Sequence, residues 1–185
     1  PPRPGRPPPR NEALEPWTPN FSWILPDLAV GGAFPIEQAA CLVAAHGVGA
    51  VIDVRAGTCD DADALAACGL RFLHLPTQDL AGVSLPMLDL GVRFAEAAAA
   101  DGLRLLVHCQ HGIGRSAIVA LCVMAKRDVA PLDALTIAKD ARILSSPSEA
   151  QYKAWSDWLE RRTHAAAPSY HEFGLIAYRH LAQSA

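Results

Sequence analysis

From Phe21 onward, two hydrophobic periods alternate along the chain. Ser22 to Leu25, Leu28 to Val30, GAVIDVR (49–55), LRFLHLP (70–76) and LRLLVH (103–108) are apolar runs of strand length, bounded by turn residues. Between them the spacing turns helical. Pro35 to His46 carries Ile36, Ala39, Ala40 and Val43 on one face, opened by Pro35 and stopped by Gly47. Asp60 to Cys68 reads as a short helix ended by Gly69, and Ser84 caps a longer one to Ala100, with Asp101-Gly102 as its stop.

LRLLVH has no polar alternation, which predicts a strand buried on both faces. The helix starting at Arg115 is almost wholly apolar through Ala125 and is therefore expected at the centre. Helices over Pro131–Arg142, Pro147–Arg162 and, more weakly patterned, Tyr170–Gln183 complete the chain. The alternation predicts an α/β fold: a central, mostly parallel sheet of four to five strands flanked by helices on both faces. No internal repeat is visible.

Composition narrows the picture. At 185 residues and 51% hydrophobic, the chain is long and apolar enough for one full core. Residues 1–20 form a proline-rich, irregular lead; the first ten hold six prolines and three arginines. That lead reads as an extended linker, with an SH3-type partner as the sharper alternative. Residues 21–165 are the expected domain, and 166–185 a C-terminal helical extension packed on it. A net charge of −3 argues against nucleic acid as a partner. No apolar run reaches the length of a membrane span, and the opening lacks the apolar core of an export signal. It also lacks an initiating Met, so the natural chain is expected to begin upstream. Five cysteines, an odd number without metal-ligand spacing, suggest a reducing, cytoplasmic setting.

One stretch asks for chemistry. HCQHGIGRS (108–116) joins the buried strand to the central helix, at the end of the sheet where α/β proteins place ligands. The helix N-terminus offers unpaired N–H groups to an anion. Gly112 and Gly114 let the backbone close around it, and Arg115 adds a planar fork for two phosphate oxygens. The same surroundings favour the thiolate of Cys109. A nucleophile inside an anion cradle points to phosphoryl transfer.

The stretch resembles the His-Cys-x5-Arg-Ser/Thr signature of the cysteine-dependent protein tyrosine phosphatases, matched at His108, Cys109, Gly112, Arg115 and Ser116. The resemblance runs from about Phe21 to Arg162. It implies that Cys109 attacks phosphorus to form a cysteinyl-phosphate and that Arg115 binds the phosphoryl oxygens. His108 would set the thiolate and the loop, and Ser116 would donate to the departing sulfur. The loop positions Gln110, His111, Gly112, Ile113, Gly114 and Arg115 would bind phosphate, without metal or cofactor.

A departing alkoxide needs a proton. Asp79, in LPTQDL some thirty residues before Cys109, stands where the dual-specificity branch of the family carries its acid. Asp89 is the rival, but it lies within a helix with Arg93 four residues on as an ion-pair partner. Asp53 reads as a strand-end hydrogen bonder, and Asp60, Asp61 and Asp63 as cap and solvated face of the short helix. Gln151 resembles a water-positioning glutamine of some relatives, with a solvated helix face as the alternative. Cys59 could approach Cys109 as a redox partner, as in some relatives, or be an ordinary loop cysteine. Cys41, Cys68 and Cys122 read as packing.

The implied activity is a metal-independent phosphomonoester hydrolase, most directly a tyrosine or dual-specificity protein phosphatase. Its substrate would be a phosphorylated protein or a small phosphomonoester. The loop carries no lysine, and inositol-polyphosphate phosphatases of the family tend to carry them there, so monoesters such as phosphotyrosine are expected. Arg55, Lys139 and Arg142 are the cations that folding could add. Phospholipid or phosphosugar phosphatase, rhodanese-like sulfurtransferase and phosphate-binding pseudoenzyme are the alternatives.

Overall fold

Branched aliphatic residues make all five apolar runs into strands of one sheet: β1 (Phe21–Leu25), β2 (Leu28–Gly31), β3 (Val48–Arg55), β4 (Arg71–Thr77) and β5 (Arg104–His108). The structure is a computed structural model and describes residues 17–182. Most of the proline-rich lead, and with it the SH3-type reading, lies outside the described residues. Strand order is β1-β2-β5-β3-β4, with β1 and β2 antiparallel and every other pair parallel. The register sets His108, at the end of β5, between Gly31 of β2 and Asp53 of β3.

Helices cover both faces. On one side, Leu106, Ala29 and Val51 pack with Leu42 of α1 (Ala39–His46) and Leu65 of α2 (Ala62–Ala67). On the other, Leu105, Val107 and Ile52 meet α3 (Leu85–Ala100), α4 (Arg115–Lys126), α5 (Pro131–Ala141) and α6 (Glu149–Arg162). Every residue of α4 from Arg115 to Ala125 is buried. Each large aliphatic side chain among them contributes about 1.5–3 kcal/mol relative to exposure. That packing, more than helix propensity, fixes the position of the α4 N-terminus.

Boundaries differ from the periodic pattern where local chemistry intervenes. Pro35 is extended, and Ile36–Gln38 is a 3-10 turn before α1 begins. Asp61, not Asp60, caps α2, because its carboxylate accepts from the N–H groups of Asp63 and Ala64. Ser148 caps α6 in a capping box with Gln151, so that helix starts at Glu149. The final helix is split into α7 (Tyr170–Ala177) and a short α8 (Arg179–Ala182) at Tyr178, whose hydroxyl donates to the Pro147 carbonyl at 2.6 Å. α7 buries Phe173 and Ala177, with Phe173 against Tyr152 and Trp155. Among the described residues, no helix is long and apolar enough to cross a membrane.

Candidate active site

The loop from Cys109 to Gly114 leaves the sheet at the end of β5 and delivers the chain into α4. Its carbonyls are turned outward and held there. Ala33 N–H donates to the Gln110 carbonyl (3.0 Å), and Ser146 N–H to that of Ile113 (2.9 Å). The Arg142 guanidinium donates to the carbonyls of Gly112 (2.6 Å) and His111 (2.9 Å), and to Asn20 Oδ1 (2.7 Å). With the carbonyls engaged outside, the N–H groups face in. Gly112 takes φ +69°, and a Cβ there would strike the Gly31 backbone, so the turn requires glycine.

Cys109 lies inside this ring, 3% exposed. Burial works to raise its thiol, but hydrogen bonds from the Ser116 hydroxyl and from the N–H groups of Ser116, Gly112 and Ile113 outweigh it. The result lies below an ordinary thiol. Cys109 Sγ is 3.4 Å from Ser116 Oγ. The Ser116 hydroxyl, rather than the helix end or a nearby cation, is the leading downward influence.

Arg115 spans the cradle. Its Nη1 donates to the Thr77 carbonyl (2.9 Å), and Nη2 stands 3.2 Å from Asp79 Oδ1. Its Nε is buried and has no hydrogen-bond partner among the described residues. A buried guanidinium N–H without an acceptor is a strong feature for an anion. Asp79 and Leu80 come from the loop after β4 to the mouth of a cavity of about 110 Å³ that Cys109, Arg115 and Gln151 also line. Leu80 adopts φ +62°, and Leu80 N–H donates to Asp79 Oδ1.

The structure therefore gathers Cys109, His111, Ile113, Gly114, Arg115, Asp79 and Gln151 around one cavity. Ser116 lies beneath the sulfur. Gln110 lines a neighbouring hollow with Arg55, Asp79 and Arg115. Gln151 is no solvated helix-face residue: it is 1% exposed, its Oε1 accepts from Ser148 N–H, and it abuts Gly114.

Several expectations change. Asp89 does not rely on Arg93; Arg162 donates to both its oxygens and Trp158 Nε1 to one of them (2.9 Å). This holds its carboxyl low and ties α3 to α6. Asp60 is neither cap nor solvated: Asp60 Oδ2 faces His108 Nε2 at 2.7 Å, and Oδ1 accepts from Arg55 at 2.6 Å. Of two adjacent acids only one can cap a helix, a signal that could have set Asp60 apart. Asp53 matches its strand-end reading. Burial pushes its carboxyl up, but the Arg55 side chain and the nearby His108 bring it below its ordinary value. Asp53 could be grouped with Cys59 and His74, or with Asp60 and His108, as metal donors. Both its oxygens already accept from Arg55, and Oδ2 also from Asp60 N–H. That donor set is spent. Cys59 is a largely exposed free thiol beside Asp53 and His74; partial desolvation, then the nearby Asp53 and Asp60, raise its pKa.

Asn20 has no place in the sequence-based site, and Arg142 enters it only as a cation that folding could add, not as the tether of the loop carbonyls. A distant arginine aimed at main-chain carbonyls leaves no local pattern in a sequence.

The family model for the dual specificity phosphatase catalytic domain matches residues 33–160. Human dual specificity protein phosphatase 16 is 34% identical over 127 residues, covering 68% of this chain and 18% of that protein. The matched curated relatives are thus about five times longer than the region they share with it. Among solved structures, human DUSP28 superposes with a TM-score of 0.64 at 26% identity, covering 79% of this chain and 97% of that one. PTPMT1, solved with PI(5)P, gives a TM-score of 0.71 at 22% identity, over 76% and 95%, a likeness of fold.

Proposed function

We propose that this chain, which belongs to the dual specificity phosphatase family, hydrolyses phosphomonoesters through a cysteinyl-phosphate. One observation carries the reading: the Cys109 sulfur receives inward N–H groups of its own loop, beside an arginine whose buried Nε has no acceptor among the described residues. Cys109 Sγ attacks phosphorus, the bond from phosphorus to the ester oxygen breaks, and that oxygen takes the proton of Asp79. Water then attacks the phosphorus, giving a proton to Asp79, and the S–P bond breaks. Gln151, buried beside Gly114, places that water. The Ser116 hydroxyl, already at Sγ, stabilises the departing thiolate. Gly112 and Gly114, with the backbone of Gln110, His111 and Ile113, hold the phosphoryl oxygens by the same N–H cradle that now holds sulfur.

Asp79→Asn tests the acid. The variant should slow alkyl phosphates by about 10²–10⁴-fold, the usual worth of a positioned proton donor, and aryl phosphates far less. Equal slowing of both ester types, in steady-state kcat, would remove Asp79 from this role.

The substrate we favour is a single phosphate on a modestly charged carrier, phosphotyrosine above all. The added cations are occupied elsewhere. Arg55 is clamped by Asp53 and Asp60, Arg142 by loop carbonyls and Asn20, and Lys139 by the Ser145 carbonyl. Among the described residues that line the cavity, Arg115 is the one arginine or lysine. The rival is a phosphoinositide, the ligand with which PTPMT1 was solved. kcat/KM for a phosphotyrosine peptide should exceed that for phosphatidylinositol polyphosphates; a tenfold preference the other way would overturn the assignment. A compartment of action in the cytoplasm accords with the unpaired cysteines.

A further inference from the structure

The register that places His108 between Gly31 and Asp53 also buries it completely, with Phe34 edge-on at 5.2 Å. Its ring nitrogens meet two acceptors. Nε2 is 2.7 Å from Asp60 Oδ2, and Nδ1 is 3.3 Å from the Cys109 carbonyl. A proton on each nitrogen satisfies both contacts.

Charge counting leads to the same state. Arg55 forms a two-point pair with Asp53, at 2.9 Å through both Nε and Nη2, and reaches Asp60 Oδ1 at 2.6 Å. Two carboxylates and one guanidinium leave one negative charge in a buried cluster. A doubly protonated His108 brings the sum to zero, and an unbalanced buried charge is costly. The remaining titratable groups at this cluster are Cys59, beside Asp53, and His74, whose Nε2 meets the Arg55 carbonyl at 2.7 Å. Neither touches the His108 ring.

We propose that Asp60 is a positioning residue of the catalytic centre, acting through His108. Its carboxylate keeps the proton on Nε2, so the ring presents Nδ1–H to the Cys109 carbonyl and a positive charge one residue from the sulfur. Arg55 and Asp53 hold Asp60 in place: Arg55 occupies Oδ1, and Asp53 Oδ2 accepts the Asp60 N–H at 3.1 Å. The role rests on the reading of Cys109 as nucleophile.

Asp60→Asn probes this at nearly constant shape. The single amide oxygen must serve Arg55, which is only a donor, so the amide NH₂ turns to Nε2 and displaces its proton. The ring becomes neutral. Alkylation of Cys109 by iodoacetamide, followed across pH by mass spectrometry, should then shift its midpoint upward by about one pH unit. kcat should fall with KM little changed, whereas Asp61→Asn, which alters only the cap of α2, should leave both readouts as they are. In a His108→Asn background, Asp60→Asn should add less than about twofold. A folded Asp60→Asn protein with an unmoved midpoint would overturn the proposal, and so would an equal shift without His108. Nitrogen-15 shifts of His108 in the unaltered protein give an answer independent of any variant: Nε2 should read as protonated, and an unprotonated Nε2 sinks the idea. Alkylation needs no phosphate ester, so a failure of the hydrolysis reading would show separately, as absent turnover.

Discussion

Cys109→Ser is expected to abolish turnover while leaving a protein that still binds inorganic phosphate or vanadate. The two properties separate because different atoms carry them. Binding falls to inward N–H groups and Arg115, none of which the substitution touches. Chemistry falls to sulfur, which burial alone would keep protonated and which the Ser116 hydroxyl and loop N–H groups bring below an ordinary thiol. A serine hydroxyl in the same place stays protonated, because it is a far weaker acid than a thiol and the same hydrogen bonds do not ionise it. The expected loss in kcat is about 10⁴-fold or more, on the scale seen when an essential nucleophile is removed. Steady-state kinetics beside calorimetric phosphate binding reads both halves. Residual turnover within tenfold of the parent would mean that the sulfur is not the nucleophile.

Arg115→Lys should be almost as damaging, and for a different reason. Lysine keeps the charge but loses the planar fork. In the structure that fork is already divided, with Nη1 on the Thr77 carbonyl, Nη2 near Asp79 and Nε left for a ligand. An ammonium can replace one of these contacts but cannot make all three in one plane. Part of the cost falls on the Asp79 loop, which loses its guide to the cavity mouth. Both ground-state binding and the transition state should suffer: KM for aryl phosphate should rise and kcat drop by roughly 10²–10³-fold, as for removal of a pre-set donor to developing charge. A variant with only KM altered would confine Arg115 to binding.

Much of this centre could be read from the chain because it is local. Cys109, Gly112, Arg115 and Ser116 lie within eight positions, and a strand followed by an apolar helix fixes how they fold together. Asp79 is singled out by its likeness to the acid position of the dual-specificity branch, and the fold brings it to the cavity. What escaped depends on register. Asp60 meets His108 across 48 residues, because β3 pairs with β5 in a frame no short pattern reveals. Asp89 passes over its neighbour Arg93 for Arg162, 73 residues away, because packing α3 against α6 places that guanidinium closer. Gln151 stood between a water-positioning role and a solvated helix face, and only its capping duty and its contact with Gly114 remove the second reading.

The outward tethering of the loop carbonyls has a consequence for how such a site could diversify. Arg142, Ser146 and Ala33 hold the main chain of Gln110 through Ile113 and ask nothing of those residues' side chains. Gln110 and His111 are exposed, so their side chains can be exchanged without disturbing the ring of N–H groups beneath. Shape and selectivity are thereby uncoupled. A lineage, or an engineer, can redraw which molecules are welcomed at the mouth while the reacting geometry below is inherited intact.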